Sequence, residues 1–488
     1  MVARLVDHRA IAWVVGSFLA VLGGSMLVPY GFSLASDHAD QSPMLRACLV
    51  TLAASAVFMI AGRHRERRDL LHREGILLVS LIWVAICLFG ALPFYFSLSY
   101  HSFTDAVFEA TSGFTTTGAT VISNVDGLSR TLHLWRSFSH WLGGMGIVLL
   151  GVAILPLLGQ GGNALYRAEF SGSAAERMRP RIVETARALW RLYVLFTVAE
   201  MALLMLAGMS GFDALCHAFS TLGTGGFSTR TASIAAFDSP LIEYIVILFM
   251  FIAGVSFIQH FQFWIEHRPG AVFRDYEFRA YFLLALGSTA LIGLTLFFAS
   301  GMALEPALRT AMFQVVSILS TTGFVTTDYG LWPPVLQIVL LVLMFAGGCT
   351  GSTAGGLKMA RVVLMWHVVQ RDFHRLAEPQ GVFRIRAGGE VLPELAVTGL
   401  INLIFLALAV MLIASLLVSA TGVDILTAFT SVIACQFNIG PGLGAVGPIA
   451  NYGDLAPLAK WVLSFCMIAG RLEFYTILIL LTAVFWSR

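Results

Sequence analysis

Charged side chains are scarce in this chain. Asp, Glu, Lys and Arg supply 12% of its 488 residues, where soluble domains carry about 25%. Hydrophobic residues make up 58%, with a mean hydropathy of +0.82. Such a composition excludes a set of aqueous cores and predicts an all-α polytopic membrane protein, because a helix satisfies its own backbone in lipid. A net charge of +2 gives nucleic-acid binding no support.

Cysteine is sparse and unpatterned. Cys48, Cys87, Cys216, Cys349, Cys435 and Cys466 fall in apolar or loop-flanking positions without paired spacing, which argues against a disulfide framework or zinc site and for buried thiols. The histidines form no His-x-x-x-His or His-Glu-x-x-His pair, and no convergent nucleophile, base or metal set is apparent. Neither an enzyme nor a bound cofactor is expected. No cleavable leader is expected either: Ile11 to Tyr30 is too long for its apolar core and reads as a first span.

What the chain has in quantity is long apolar runs. They lie near 10–30, 45–62, 75–97, 133–158, 183–208, 240–264, 279–300, 334–357, 395–420 and 457–485, and about 20 residues suffice to cross the hydrocarbon core. Ten spans are therefore expected. Basic residues concentrate in alternate linkers: Arg63, Arg65, Arg67, Arg68 and Arg73; then Arg167, Arg177, Arg179 and Arg181; then Arg268 and Arg274; then Lys358, Arg361, Arg371, Arg375, Arg384 and Arg386. The positive-inside rule puts those linkers and both termini, with Arg4, Arg9 and Arg488, in the cytoplasm.

Four of the opposite, outer linkers share one plan. Each can be anchored on a glycine: Gly118, Gly226, Gly323 and Gly440. Thirteen residues upstream stand Asp105, Asp213, Thr310 and Thr427, each followed by Ala, and these predict the N-caps of short pore helices. Six residues before each anchor come Ser112, Ser220, Ser317 and Ala434, and two before it Thr116, Thr224, Thr321 and Asn438. The chain thus divides into an N-terminal hairpin (1–70) and four span, pore loop, span repeats (71–165, 166–270, 271–375 and 376–488), a period of about 100 residues. Each repeat crosses twice, so all four point the same way around one axis.

A single polar glycine turn is an ordinary loop. Four in register around an axis can present backbone carbonyls to a cation in place of its hydration shell, with glycine allowing the required dihedrals. The candidate ring is Thr116, Thr117, Gly118; Thr224, Gly225, Gly226; Thr321, Thr322, Gly323; and Asn438, Ile439, Gly440. Its fourth member, Cys435-Gln436-Phe437-Asn438-Ile439-Gly440-Pro441-Gly442, is the most divergent and predicts an asymmetric ring. Asp126, Asp238, Asp328 and Asp454 in the outer loops either concentrate cations or are solvated surface.

A second feature interrupts the span at 334–357. Gly347, Gly348, Cys349, Thr350, Gly351, Ser352, Thr353, Ala354, Gly355 and Gly356 hold five glycines in ten residues, each costing roughly 1 kcal/mol against Ala inside a helix. Two readings stand, an unwound loop below the ring and a close-packed small-residue surface. Arg471, deep in the last apolar run, either faces a cavity and holds that loop through its carbonyls or pairs with Glu473. Glu200 reads as a local hydrogen-bonding group.

The four unequal repeats, with Thr-Thr-Thr-Gly-Ala-Thr at 115–120, Thr-Gly-Gly-Phe-Ser-Thr at 224–229 and Ser-Thr-Thr-Gly-Phe at 320–324, resemble the Trk/Ktr/HKT superfamily of potassium transporters. The extra N-terminal hairpin resembles its bacterial TrkH type. The resemblance implies potassium uptake across the inner membrane, with the filter glycines selecting potassium. A Ser at the first filter position accompanies sodium permeation in some plant members, and Gly118 stands there. The resemblance also implies that 347–356 is an intramembrane loop obstructing the pore, that the subunit forms a homodimer, and that a ring of nucleotide-binding regulatory subunits docks on the cytoplasmic face. No phosphate-binding glycine loop follows a strand here, so nucleotide control would come from that partner. Channel-like flux is the first reading; coupling to protons or sodium, through a titratable group such as Glu200 or His140, is the alternative.

Overall fold

Nearly every long apolar run becomes helix, and among the described residues the only strands are Arg386–Ala387 and Glu390–Val391, a two-stranded antiparallel hairpin. The computed structural model describes residues 6–36, 40–63, 72–97, 102–153, 182–388 and 390–487. Arg4, Arg65, Arg67, Arg68, Arg167, Arg177, Arg179, Arg181 and Arg488 lie outside them.

The protein is a multi-pass membrane protein. Among the described residues, six helices are long and apolar enough to span a bilayer: His8–Ala35, Gln41–Ala61, Arg73–Phe96, Thr185–Leu206, Tyr276–Ser300 and Glu394–Ser419. The first two pack on each other through small residues. A Cβ on Gly16 would lie 2.8 Å from Met59 Cγ, and Ser55 Oγ donates to the Gly16 carbonyl at 2.7 Å, the close approach that glycine permits between helices in lipid.

Three expected spans are not continuous. Pro240–Gly254 and Phe257–Trp264 meet at 102°, and Pro457–Arg471 and Tyr475–Leu481 at 115°. Pro334–Ala346 stops at Gly347, whose φ of 72° and ψ of −175° belong to glycine alone, and the chain becomes helical again at Met359–Ala377. By contrast, Arg130–Ala153 runs unbroken for 24 residues.

Between the spans of each repeat lies a short helix: Phe103–Phe114, Gly211–Leu222, Leu304–Leu319 and Ile425–Gln436. In the first of these, every residue from Asp105 to Phe114 is buried. Burial on all sides keeps the backbone that follows it out of lipid. Their starts correct the expected caps. Ser102 Oγ accepts from Asp105 N–H at 3.2 Å, Ser210 Oγ from Asp213 N–H at 3.1 Å, and Asp424 Oδ2 from Thr427 N–H at 3.0 Å. The caps therefore stand three residues earlier than expected, and Asp105, Asp213 and Thr427 are at the third helical position, where an N-cap oxygen finds its donor. Thr310 is inside the third helix, which at 16 residues is longer than the others and has no side-chain cap at Ala303.

Candidate functional site: a four-part ring and the loop beneath it

All four short helices end alike. The N–H of Thr117 donates to the Ser112 carbonyl, Gly225 to Ser220, Thr322 to Ser317 and Ile439 to Ala434, at 2.8 to 2.9 Å. One residue earlier, Thr116, Thr224, Thr321 and Asn438 donate to Gly113, Thr221, Ile318 and Cys435. These are the paired bonds of a Schellman cap, which requires a left-handed residue just past the helix. Thr116, Thr224, Thr321 and Asn438 take that conformation, with φ of 55°, 53°, 56° and 56°. Asn adopts it readily, but a β-branched Thr does so at a cost of about 1–3 kcal/mol. Glycine, the expected special residue, comes two positions later: Gly118, Gly226, Gly323 and Gly440 have φ of 82°, 79°, 81° and 100°.

The four turns close on one another in cyclic order. A Cβ on Gly118 would lie 2.0 Å from the Gly225 carbonyl oxygen, on Gly226 2.1 Å from that of Thr322, on Gly323 1.9 Å from that of Ile439, and on Gly440 2.7 Å from that of Thr117. Each anchor glycine thus abuts the carbonyl preceding the next anchor, and the fourth returns to the first. All four glycines line one cavity, together with Arg136 and Arg230. A ring of backbone oxygens with glycine between them is suited to a dehydrated cation.

The fourth quarter differs from the rest. Its glycine stands farther from its neighbour, and the Gly440 carbonyl accepts a 2.7 Å hydrogen bond from the Tyr452 hydroxyl. Asn438 Nδ2 donates to Thr117 Oγ1 and to the Met467 carbonyl, both at 3.0 Å, fastening the fourth turn to the first. Thr116 Oγ1 is buried without a hydrogen-bond partner among the described residues.

Support from behind the ring comes from residues with no sequence signal. Glu109 and Arg136, both buried, pair at 2.9 Å. Glu109 also accepts from Thr120 Oγ1 and the Val121 N–H, while Arg136 donates to the Ser228 carbonyl and lies 4.1 Å above the Phe227 ring. One ion pair thus steadies the segments that follow the first two turns. The outer carboxylates are divided. Asp126 accepts from Thr231 N–H at 3.1 Å, and hydrogen bonding to Thr231 holds its carboxyl below the usual range. Asp328 caps its own turn through Gly330 N–H. Asp454 lines a separate cavity with Asp105.

Residues 347–356 form a lobe pinched at its base. A Cβ on Gly356 would lie 2.5 Å from Gly347 Cα, and Leu357 N–H donates to the Phe345 carbonyl at 3.2 Å, the closed neck of an Ω-type loop. The lobe bonds to three of the four repeats, at the turns of the third and fourth and at the broken span of the second. Gly355 N–H donates to Thr321 Oγ1 at 2.6 Å, and Gly356 N–H to the Phe437 carbonyl at 3.0 Å. Cys349 N–H donates to the Gly254 carbonyl at 2.8 Å, and the Gly351 carbonyl accepts from Phe257 N–H at 3.0 Å. The break after Gly254 therefore has its freed backbone groups paired by this lobe. Ser352 and Thr353 are buried within it.

Arg471 ends its helix beside the lobe. Its guanidinium donates to the Thr353 carbonyl at 2.9 Å and to the Gly143 carbonyl of the first repeat at 3.4 Å, so lobe and arginine together touch all four repeats. The alternative pairing with Glu473 is not formed. Glu473 pairs with Arg361 at 2.7 Å.

Three comparisons bear on this architecture. Residues 41–487 match the family model described as TrkH, cation transport protein. The chain is similar to the Trk system potassium uptake protein TrkH of Salmonella typhimurium, 41% identical over 485 residues, covering 98% of this chain and 99% of that protein. It is 33% identical to the Trk system potassium uptake protein TrkI of Halomonas elongata over 489 residues, 100% of this chain and 97% of that one. The crystal structure of the potassium transporter TrkH from Vibrio parahaemolyticus superposes with a TM-score of 0.90 at 39% identity, covering 98% of this chain and 99% of that chain. With the fold, the family model and full-length relatives in agreement, the chain belongs to the TrkH family of cation transport proteins.

Proposed function

We propose that the protein takes up potassium across the bacterial inner membrane, from the outer cavity through the four-part ring and past the 347–356 lobe, with both termini cytoplasmic. The observation that carries this reading is the cyclic contact of Gly118, Gly226, Gly323 and Gly440 with successive carbonyl oxygens. Four repeats at 71–165, 166–270, 271–375 and 376–488 supply the quarters, and the names of the relatives supply the ion. The filter residues are Thr116 to Gly118, Thr224 to Gly226, Thr321 to Gly323 and Asn438 to Gly440. The lobe, tied by Arg471, is the gate.

The experiment is rubidium uptake into proteoliposomes, competed by potassium or sodium. Potassium should compete well and sodium poorly; equal competition overturns the selectivity. Deleting 350–354, which leaves the Gly347 and Gly356 neck in place, should raise flux, and unchanged flux removes the gate.

Glu200 favours a second reading, coupled transport. It is fully buried, and neither carboxylate oxygen has a hydrogen-bond partner among the described residues; the neighbouring Thr221 hydroxyl is directed at the His217 carbonyl. A proton gradient that drives rubidium uptake in the parent but not in Glu200→Gln would support coupling.

Association is part of the proposal. Val362, Trp366, Val369, Phe373 and Leu376 on Met359–Ala377 are exposed at alternating spacings of four and three, the seam that pairs helices. It supports a homodimer. The basic residues of this helix and of the segment after it, Arg371, Arg375, Arg384 and Arg386, suit the anionic lipid surface or a nucleotide-binding regulatory ring.

A further inference from the structure

We propose that Glu277 is the latch that holds the 347–356 lobe closed and transmits movement of the Met359–Ala377 helix to it. This rests on the reading of the lobe as the gate. Glu277 stands in the first turn of Tyr276–Ser300 and is buried, 4% exposed. Its Oε1 accepts three hydrogen bonds: from Thr350 N–H at 2.6 Å, from Thr350 Oγ1 at 3.0 Å and from Ala360 N–H at 3.0 Å. The first two donors belong to the middle of the lobe. The third is an otherwise unpaired N–H in the first turn of the helix that follows it, where an anion also meets the positive end of the helix dipole.

The chemistry of the lobe divides by sign. Its carbonyls are held by cations: Arg471 donates to Thr353, and Lys358 Nζ to Ala354. Its N–H side at Thr350 is held by the one carboxylate. Hydrogen bonds to a charged group are stronger than neutral ones, and a buried carboxylate stays in place only while such donors surround it. Glu277 bonds the middle of the lobe and the Met359–Ala377 helix at once through one side-chain oxygen, alongside the direct bond from Met359 N–H to the Gly348 carbonyl at 3.0 Å at the base of the lobe. A shift of that helix, which carries the exposed apolar seam, pulls on the acceptor shared with Thr350. Force applied at the seam therefore reaches the base of the lobe through the Met359 to Gly348 bond and its middle, at Thr350, through the Glu277 side chain.

The test compares Glu277→Ala, which removes the acceptor, and Glu277→Gln, which keeps its shape without the charge, in the parent and in the chain lacking 350–354. Rubidium flux in proteoliposomes should rise roughly tenfold for Glu277→Ala, the scale of losing charge-assisted hydrogen bonds, and severalfold for Glu277→Gln. Neither change should add to the flux of the shortened chain, since the latch then has no lobe to hold. An independent readout is Cys349, a buried free thiol next to Thr350. With the other five cysteines replaced by Ser, a membrane-impermeant maleimide applied from the cytoplasmic side should label it faster in both variants. Unchanged flux and labelling in the Glu277 variants, with raised flux in the shortened chain, overturns the latch and leaves the gate standing. Equal increments with and without 350–354 place the action of Glu277 elsewhere and also overturn it. Unchanged flux in the shortened chain overturns gate and latch together. If Glu277→Ala does not fold, Glu277→Gln decides by the same criteria, because the latch requires the charge.

Discussion

A single methyl group added at Gly118 meets two obstacles, a left-handed φ of 82° and a carbonyl oxygen 2.0 Å away. Gly226 and Gly323 meet the same two, whereas Gly440 has its nearest neighbour at 2.7 Å. Alanine should therefore abolish selective flux at the first three positions and reduce it less at Gly440, as measured by rubidium uptake with sodium competition. Tyr452→Phe removes the donor from the Gly440 carbonyl and packs in the same space, so it should change the potassium-to-sodium ratio while leaving thermal stability within about 1 kcal/mol. The glycine positions were legible in the sequence because only glycine combines that φ with so close a neighbour. The left-handed Thr116, Thr224 and Thr321 were not, since β-branching argues against the conformation and only the paired cap bonds hold it. The Glu109 and Arg136 pair was equally invisible: 27 residues separate them, and nothing in either neighbourhood marks them as partners.

Among the elements, the short helices were legible in number and place but not in their starts. Asp105 and Asp213 resemble N-caps, yet each follows a Ser at the position that caps, and the Asp side chain turns back to that Ser at 2.9 Å and 2.8 Å. Ser102→Ala should cost about 1 kcal/mol of stability, read as a lowered midpoint in thermal unfolding in detergent, while Thr310→Ala, inside its helix, should cost less. The breaks after Gly254 and Arg471 were expected as continuous spans. In the first case the reason is plain, because its freed N–H and carbonyl are paired by Gly351 and Cys349, residues almost a hundred positions away. Local sequence carries no record of such a partner. The 347–356 interruption, by contrast, announces itself through glycine content alone.

For the whole molecule, composition was enough for a polytopic helical protein, and the recurrence of four anchors was enough to suggest a ring. Association was not readable from hydropathy, since lipid and a partner subunit both favour apolar surface. The proposed homodimer uses the seam on Met359–Ala377, so Trp366→Glu with Phe373→Glu should convert a dimer to a monomer by light scattering in detergent without loss of fold. The central claim is that the ring of Gly118, Gly226, Gly323 and Gly440 distinguishes potassium from sodium. It is tested most directly by the potassium-to-sodium permeability ratio of purified protein in planar bilayers, for the parent and for Gly118→Ser. The account predicts a potassium-selective parent and a variant in which that preference falls at least roughly tenfold, about 1.4 kcal/mol; a Gly118→Ser protein that folds, conducts and keeps the parent's ratio would contradict it.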